Sequence, residues 1–304
     1  MIPFLHIGPL TLPTFGLMVA TAMLCAYFVL RADLRRRGIQ ADAETLVALP
    51  SLAGMAGAKL YHVLESPGDL IADPVGQLFS STGFAWFGGL IAGIATFVYL
   101  GRKFRIPVLL LFDIASPACA LGYGIGRIGC LLSGDGDYGI PTSLPWGMSF
   151  PHGIVPTTDR VHPTPIYEFI ASVAIAWFLW RMFARRDGSA RKAPAREAAT
   201  VREVSAARQA GGSETRPYDA ARAPARVGAR TPGGARTFDG ARTPGRIFAA
   251  FLMLTGIERF LVEFIRINPR SFLGMSNAQT VGLISALAGA WLWWRLTKRA
   301  SASL

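Results

Sequence analysis

An all-α membrane protein is the fold class that the sequence predicts, with about seven transmembrane helices, and three observations carry the prediction. Of 304 residues, 51% are hydrophobic and 16% are charged, where soluble domains carry about 25% charged residues. The mean hydropathy is +0.36. Apolar runs of roughly 17–25 residues, the length that crosses a bilayer, recur along the chain. Between those runs, Lys and Arg crowd alternate connections, which is the positive-inside pattern.

The predicted spans lie at roughly 14–31, 45–64, 84–101, 108–132, 166–183, 247–265 and 278–296. The stretch before the first, MIPFLHIGPLTLPTFG, lacks a basic n-region, so no cleaved signal peptide is expected. RADLRRRG follows span one and GRKFR follows span three. A run beginning Arg185, Arg186 follows span five, and RLTKRASASL closes the chain. The Glu65–Thr82 loop has no Lys or Arg, and the 133–165 loop has only Arg160. Every basic connection then falls on one side, which predicts an outer N-terminus and a cytoplasmic C-terminus. The chain divides into helices one to five with their outer-face loop (1–184), a linker (185–246) and helices six and seven (247–304).

The 185–246 segment holds 14 Lys/Arg and 6 Asp/Glu. It is rich in Ala, Arg, Gly, Pro and Thr, has no hydrophobic period, and ends in the repeat GARTPG GARTFD GARTPG. Such a composition buries too little apolar surface to offset chain entropy, so disorder is predicted. In a membrane protein this basic excess marks the cytoplasmic side rather than a nucleic-acid site, and no nucleic-acid partner is expected. Cys25, Cys119 and Cys130 all lie in apolar segments. On one helix, Cys119 and Cys130 would stand about 16 Å apart, beyond disulfide reach. Nothing in the sequence calls for a metal or a cofactor.

A charge in hydrocarbon costs at least about 2.5–3.5 kcal/mol and is rarely kept without a role. Arg127 lies in GRIGCLLSGDGDYG, near the outer end of span four. Gly122, Gly126 and Gly129 bare that helix for the approach of another helix or a lipid. Beyond it, Asp135 and Asp137 sit in a glycine-rich, flexible acidic loop. Span six carries ERFLVEFIR. At 100° per residue, Arg259, Glu263 and Arg266 fall at roughly 0°, 40° and −20°, one polar stripe. Two spans thus bring arginines to the outer face, and a guanidinium is the side chain best shaped to hold a phosphate. The bland alternative is Arg–Glu pairing that only glues the bundle. In HPTPIYE, Thr164 suits a helix cap and Pro165 the first helical position. Tyr167 and Glu168 then fall in the first turn of span five, where an interfacial belt and the helix dipole also favour such residues.

These motifs resemble those of the phosphatidylglycerol–prolipoprotein diacylglyceryl transferase family. GRIGCLLSGDGDYG resembles its Gly-Arg-(hydrophobic)-Gly-Asn signature, which ends in an acidic residue and a glycine. HPTPIYE resembles its His-Pro-x-x-x-Tyr-Glu element, and ERFLVEFIR its Arg-Phe-x-x-Glu-Phe-x-Arg element. WFGGLIAG (Trp86–Gly93) resembles an element in which an aromatic residue or His precedes Gly-Gly-Leu-Ile-Gly. The resemblance implies transfer of the diacylglyceryl group of phosphatidylglycerol to the lipobox cysteine of a prolipoprotein signal peptide, in the bacterial cytoplasmic (inner) membrane. Glycerol 1-phosphate leaves. It implies catalytic roles for Arg127, Arg259, Asp135 and Glu263. Arg127, Gly129, Ser133, Gly139, His162, Tyr167, Glu168, Arg266, Gly88 and Gly89 would bind substrate.

The sequence departs from the commonest family pattern at several positions. Phe87 stands where many members have His, Phe15 and Thr255 replace Tyr, and Cys130 and Ser133 replace Asn. The Gly134–Gly139 loop is one residue longer. Without the histidine, arginine-assisted thiolate formation helped by Asp135, Asp137 or His162 is the expected route to the nucleophile. Two other readings stay open: a relative with a changed acceptor, and a non-catalytic lipid-binding or transport protein. Against transport, the sequence has no inverted repeat and no matched pair of broken helices.

Overall fold

The computed structural model describes residues 2–80, 83–182, 243–272 and 274–302. Most of the predicted 185–246 linker lies outside the described residues. The remainder, Met1–Met182 with Thr243–Leu304, clusters as one compact unit.

The chain opens with a hairpin of β1 (Phe4–Ile7) and β2 (Leu10–Pro13), turned by Gly8 at φ 60°. Then come α1 (Thr14–Arg37), α2 (Ala43–Glu65), the short α3 (Pro67–Ala72) and α4 (Pro74–Phe79), α5 (Trp86–Lys103) and α6 (Val108–Ser133). A second hairpin, β3 (Met148–Phe150) with β4 (Thr157–Val161), leads to α7 at 164–182. After the linker follow α8 (Arg246–Val262), a hairpin of β5 (Arg270–Phe272) and β6 (Met275–Ser276), and α9 (Asn277–Ala302). Each predicted span has a helix at its place. The hairpins and the two short helices were not foreseen, because short connecting segments carry no long apolar period.

Local chemistry fixes the ends. Asp42 caps α2, accepting from the amides of Glu44 at 3.3 Å and Thr45 at 3.0 Å, which satisfies donors the first turn leaves free. Gly38 and Gly134 close α1 and α6 in the left-handed conformation, at φ 64° and 59°, the usual glycine termination. Asp113, buried in α6, accepts from the amides of Gly245 and Phe248 at 2.7 Å each, and so caps α8 from a neighbouring helix.

Helix α8 ends at Val262, short of the predicted residue 265. The amide of Phe264 donates to Leu261 at 3.3 Å and that of Ile265 to Val262 at 3.1 Å, so the last turn tightens to the i−3 pattern. The chain then runs extended, with Gly139 and Arg266 paired as an antiparallel bridge.

The main helix pairs are α1 with α6, α2 with α5 and α8 with α9, and glycines set their spacing. A Cβ on Gly88 would lie 2.3 Å from the Gly57 carbonyl oxygen, and one on Gly256 would lie 2.5 Å from that of Gly282. Such backbone approach is how helices associate where apolar burial gives no net drive. Leu110, Leu111 and Ile114 of α6, Leu179 of α7 and Ile247 of α8 form the interior. Leu24, Phe28, Leu52, Ile91, Trp177, Ile284 and Trp291 face outward. Among the described residues, α1 and α6 are long and apolar enough to cross a membrane by length and composition.

Candidate active site

Three arginines and three carboxylates meet where the C-terminal end of α6, the start of α7 and the end of α8 converge. Glu168, fully buried on α7, is the hub. Its Oε1 accepts from Arg259 at 2.8 Å and from the Tyr123 hydroxyl at 2.8 Å. Its Oε2 lies 3.1 Å from Arg127 Nε and 3.3 Å from Arg266 Nη1. Asp137 forms a second bridge, pairing with both Arg127 and Arg266. Glu263 is the third, 3.5 Å from Arg259 Nη2 and 3.6 Å from Arg266 Nε. It also accepts from the Asn268 amide and from Ser276 Oγ at 2.9 Å. The six charges balance, so the cluster holds together without a ligand.

The acidic loop is tied down rather than loose. Gly134 and Gly136 turn it at φ 59° and 92°, the left-handed region that glycine enters freely. Ile154 and Val155 donate to the Ser133 and Gly134 carbonyls at 3.0 and 2.8 Å, which seats the β3–β4 hairpin against the loop. Thr164, expected to cap α7, instead donates its hydroxyl to the Asp137 carbonyl. At Gly139 a Cβ would lie 2.4 Å from the Ile265 carbonyl oxygen, 2.9 Å from His162 Cβ and 3.0 Å from Thr164 Cγ2. Three segments meet on this glycine because it has no side chain, and that meeting brings Arg266 to Asp137.

The resemblance implies a catalytic role for Asp135; the structure puts Asp137 on the arginines. Burial alone would raise the Asp137 carboxyl, but the Arg127 and Arg266 guanidiniums outweigh it and hold it below the usual carboxylate range. Asp135 stands to the side, its Oδ1 accepting from the Asp137 amide at 3.3 Å. Burial pushes its carboxyl up, with the Asp137 charge adding to the rise against a hydrogen bond with Cys130. Ligand atoms of Cys130, Asp135 and Asp137 lie within 4.8 Å of one another, but the two guanidiniums on Asp137 oppose a cation there.

Arg127, Arg259, Glu263, Arg266 and Glu168 are brought together as expected residues of one site. His162 and Tyr167 form a separate pair beside it, Nδ1 to hydroxyl at 3.3 Å, with Trp146 Nε1 donating to the same hydroxyl at 2.7 Å. Ser133 is buried and donates to its own helix, to the Gly129 carbonyl at 2.9 Å. A Cβ on Gly129 would meet Phe15 at 3.0 Å, so this glycine seats α1 against α6. Gly88 and Gly89 likewise face α2, at Gly57 and Gly54. All four of these residues were expected at a substrate, and the structure gives each a packing role. The sequence reading passed over Tyr123, Asn268 and Ser276, and only their contacts with Glu168 and Glu263 give them significance.

Beside the cluster lies a cavity of about 510 Å³ between α5, α6, α8 and α9. Arg127, Arg259, Tyr123 and Glu258 give it one polar wall, and Phe87, Ala120, Phe251, Val281 and Gly282 give it apolar ones. A second cavity of about 480 Å³, lined almost wholly by apolar side chains of α1, α2, α5 and α6, also reaches Tyr123.

Relatives of this chain carry one activity name. A protein of Clostridium tetani is 26% identical over 279 residues, covering 90% of this chain and 89% of its own length. One of Bordetella avium is 27% identical over 311 residues, covering 98% and 95%. One of Leptospira interrogans is 24% identical over 344 residues, covering 95% and 91%. Each is named phosphatidylglycerol–prolipoprotein diacylglyceryl transferase. The family model described as prolipoprotein diacylglyceryl transferase matches residues 3–201 and 235–295, and the chain belongs to that family.

Proposed function

We propose that this protein transfers the diacylglyceryl group of phosphatidylglycerol to the cysteine thiol in the lipobox of prolipoprotein signal peptides. The observation that carries the reading is the placement of Arg127 and Arg259 on the wall of a mostly apolar cavity. Such a cavity suits a phospholipid, with its phosphate at the guanidiniums and its acyl chains along Ala120, Phe251 and Val281. The leaving glycerol 1-phosphate gains negative charge as the carbon–oxygen bond breaks. Guanidiniums already held in place by Glu168 and Glu263 stabilise that charge without reorganising.

The chain crosses the bacterial cytoplasmic membrane with its seven long helices, N-terminus outside and C-terminus inside. Basic last turns support this orientation: Arg35, Arg36 and Arg37 on α1, Arg102 and Lys103 on α5, and Arg299 on α9. The arginine cluster then lies at the outer face, where a secreted precursor presents its cysteine, and the 185–246 linker lies in the cytoplasm.

Mass spectrometry tests the reading directly. A lipobox peptide incubated with the purified protein in phosphatidylglycerol vesicles gains one diacylglyceryl group, and a Cys→Ala peptide gains none. No gain with the Clostridium tetani relative active alongside would overturn it.

A further inference from the structure

Resting on the transferase reading, one carboxylate is left without an assignment. Asp137, Glu168 and Glu263 are each held by at least two guanidiniums. Glu258 pairs with none among the described residues, and its Oε1 is buried without a hydrogen-bond partner. An unpartnered buried oxygen is costly and rare, and it calls for a reason such as a catalytic role. Glu258 precedes Arg259 on α8, so it points about 100° away from Arg259 and about 140° away from Glu263. It faces the charged cavity, which it lines together with Arg127, Arg259 and Phe87.

We propose that Glu258 is the base that takes the proton from the acceptor thiol. Phe87 stands on the same cavity, at the position where the sequence resemblance leads one to look for a histidine. Glu258 supplies from α8 the proton acceptor that Phe87 cannot supply from α5. The other candidates are placed worse. Asp137 is engaged by two arginines, His162 is paired with Tyr167, and neither these nor Asp135 lines the cavity. The charged and titratable groups that face Glu258 are Arg127 and Tyr123 from α6, Arg259 from α8 and Glu168 from α7. The walls from α5 and α9 present no titratable side chain.

The step balances. The thiol proton passes to the Glu258 carboxylate. The sulfur electron pair forms a carbon–sulfur bond to the glyceryl carbon that bears the phosphate. The carbon–oxygen bond breaks, and its electron pair leaves on the phosphate oxygen. Glu258 returns the proton to the departing phosphate monoester, which restores the carboxylate.

The experiment uses the full chain in phosphatidylglycerol vesicles with a lipobox peptide, comparing wild type, Glu258→Gln and the double variant Glu258→Gln/Phe87→His. Positioned general bases contribute about 10²–10⁴-fold, so Glu258→Gln lowers kcat at pH 7 by about 10²-fold or more. KM for phosphatidylglycerol stays within about twofold. The residual rate climbs about tenfold per pH unit up to the thiol's own pKa near 8.5. Adding Phe87→His restores at least tenfold, because it returns a base to the same cavity. Wild-type turnover and pH profile in Glu258→Gln would overturn the proposal. So would a loss that is independent of pH and unrelieved by Phe87→His, since that marks a structural role. If the wild type transfers nothing while the Clostridium tetani relative does, the transferase reading fails first and the proposal falls with it.

Discussion

Glu168 and Arg259, 91 residues apart in sequence, meet at 2.8 Å and join α7 to α8. The same carboxylate reaches Arg127 at 3.1 Å, so one fully buried side chain sets the spacing of both arginines on the cavity wall. The arginines are therefore positioned before any lipid arrives, and positioning done in advance is what makes electrostatic stabilisation effective.

Replacing Glu168 by Gln keeps the shape and removes the charge that three guanidiniums share. Breaking a buried pair costs about 3–5 kcal/mol, which for a chain of this size is roughly 5–8 °C in Tm. Thermal unfolding of the detergent-purified variant measures it. A Tm within two degrees of wild type, judged against that same scale, would show that the hub does not hold the cluster.

Arg127→Ala removes the guanidinium proposed to hold the lipid phosphate. Loss of a preorganised donor to developing charge costs about 10²–10³-fold in kcat, so peptide modification falls below detection at ordinary enzyme concentrations while membrane insertion is unchanged. Arg127→Lys does not restore it, because an ammonium cannot span Asp137, Glu168 and a phosphate at once. Full activity in the alanine variant would remove Arg127 from the mechanism.

How much of this was legible in the sequence depends on the range of the interaction. Apolar length located the helices. Charge inside those lengths located Arg127, Arg259, Glu263 and Arg266, because a guanidinium in an apolar run needs a reason. Asp135 and Asp137 could not be told apart from the residues alone, and the resemblance favoured Asp135. Which one faces the arginines depends on two left-handed glycines, Gly134 and Gly136, and on where the Gly139–Arg266 bridge forms. Glycines such as Gly88 and Gly129 were ambiguous for another reason: a bare helix face looks the same whether a lipid or another helix comes to it. Glu258 was visible as a charge in the same run, but that it lacks a partner among the described residues is a fact of three dimensions only.

Asp137 links the cluster to pH. Its carboxyl is held below its ordinary value of 3.8, so the folded state favours the ionised form. Its contribution is complete above the unfolded value and is lost as pH falls through the lower, folded one. Wild type is accordingly more stable than Asp137→Asn at pH 7, and the gap between their Tm values closes as the pH is lowered through the acid range below 3.8. Paired thermal scans across that range check the sign. A gap that widens on acidification would mean that Asp137 is not held ionised by Arg127 and Arg266.

The long basic insertion offers a test of where the chemistry sits. Removing Ser189–Thr243 spares Pro244 and Gly245, and the Gly245 amide is one of the two that Asp113 caps. The start of α8 therefore keeps its anchor, and with it the positions of Glu258 and Arg259 on the cavity. On the proposed topology the deleted segment is cytoplasmic, across the bilayer from the arginines. Turnover of the deletion variant should stay within about twofold of wild type, whereas extending the deletion through Gly245 should lower it, because a lost helix cap costs about 0.5–2 kcal/mol. Peptide modification by both variants, normalised to protein in the vesicle, separates the two outcomes. A large loss in the shorter deletion at normal expression would show that the insertion takes part in the reaction rather than only joining α7 to α8.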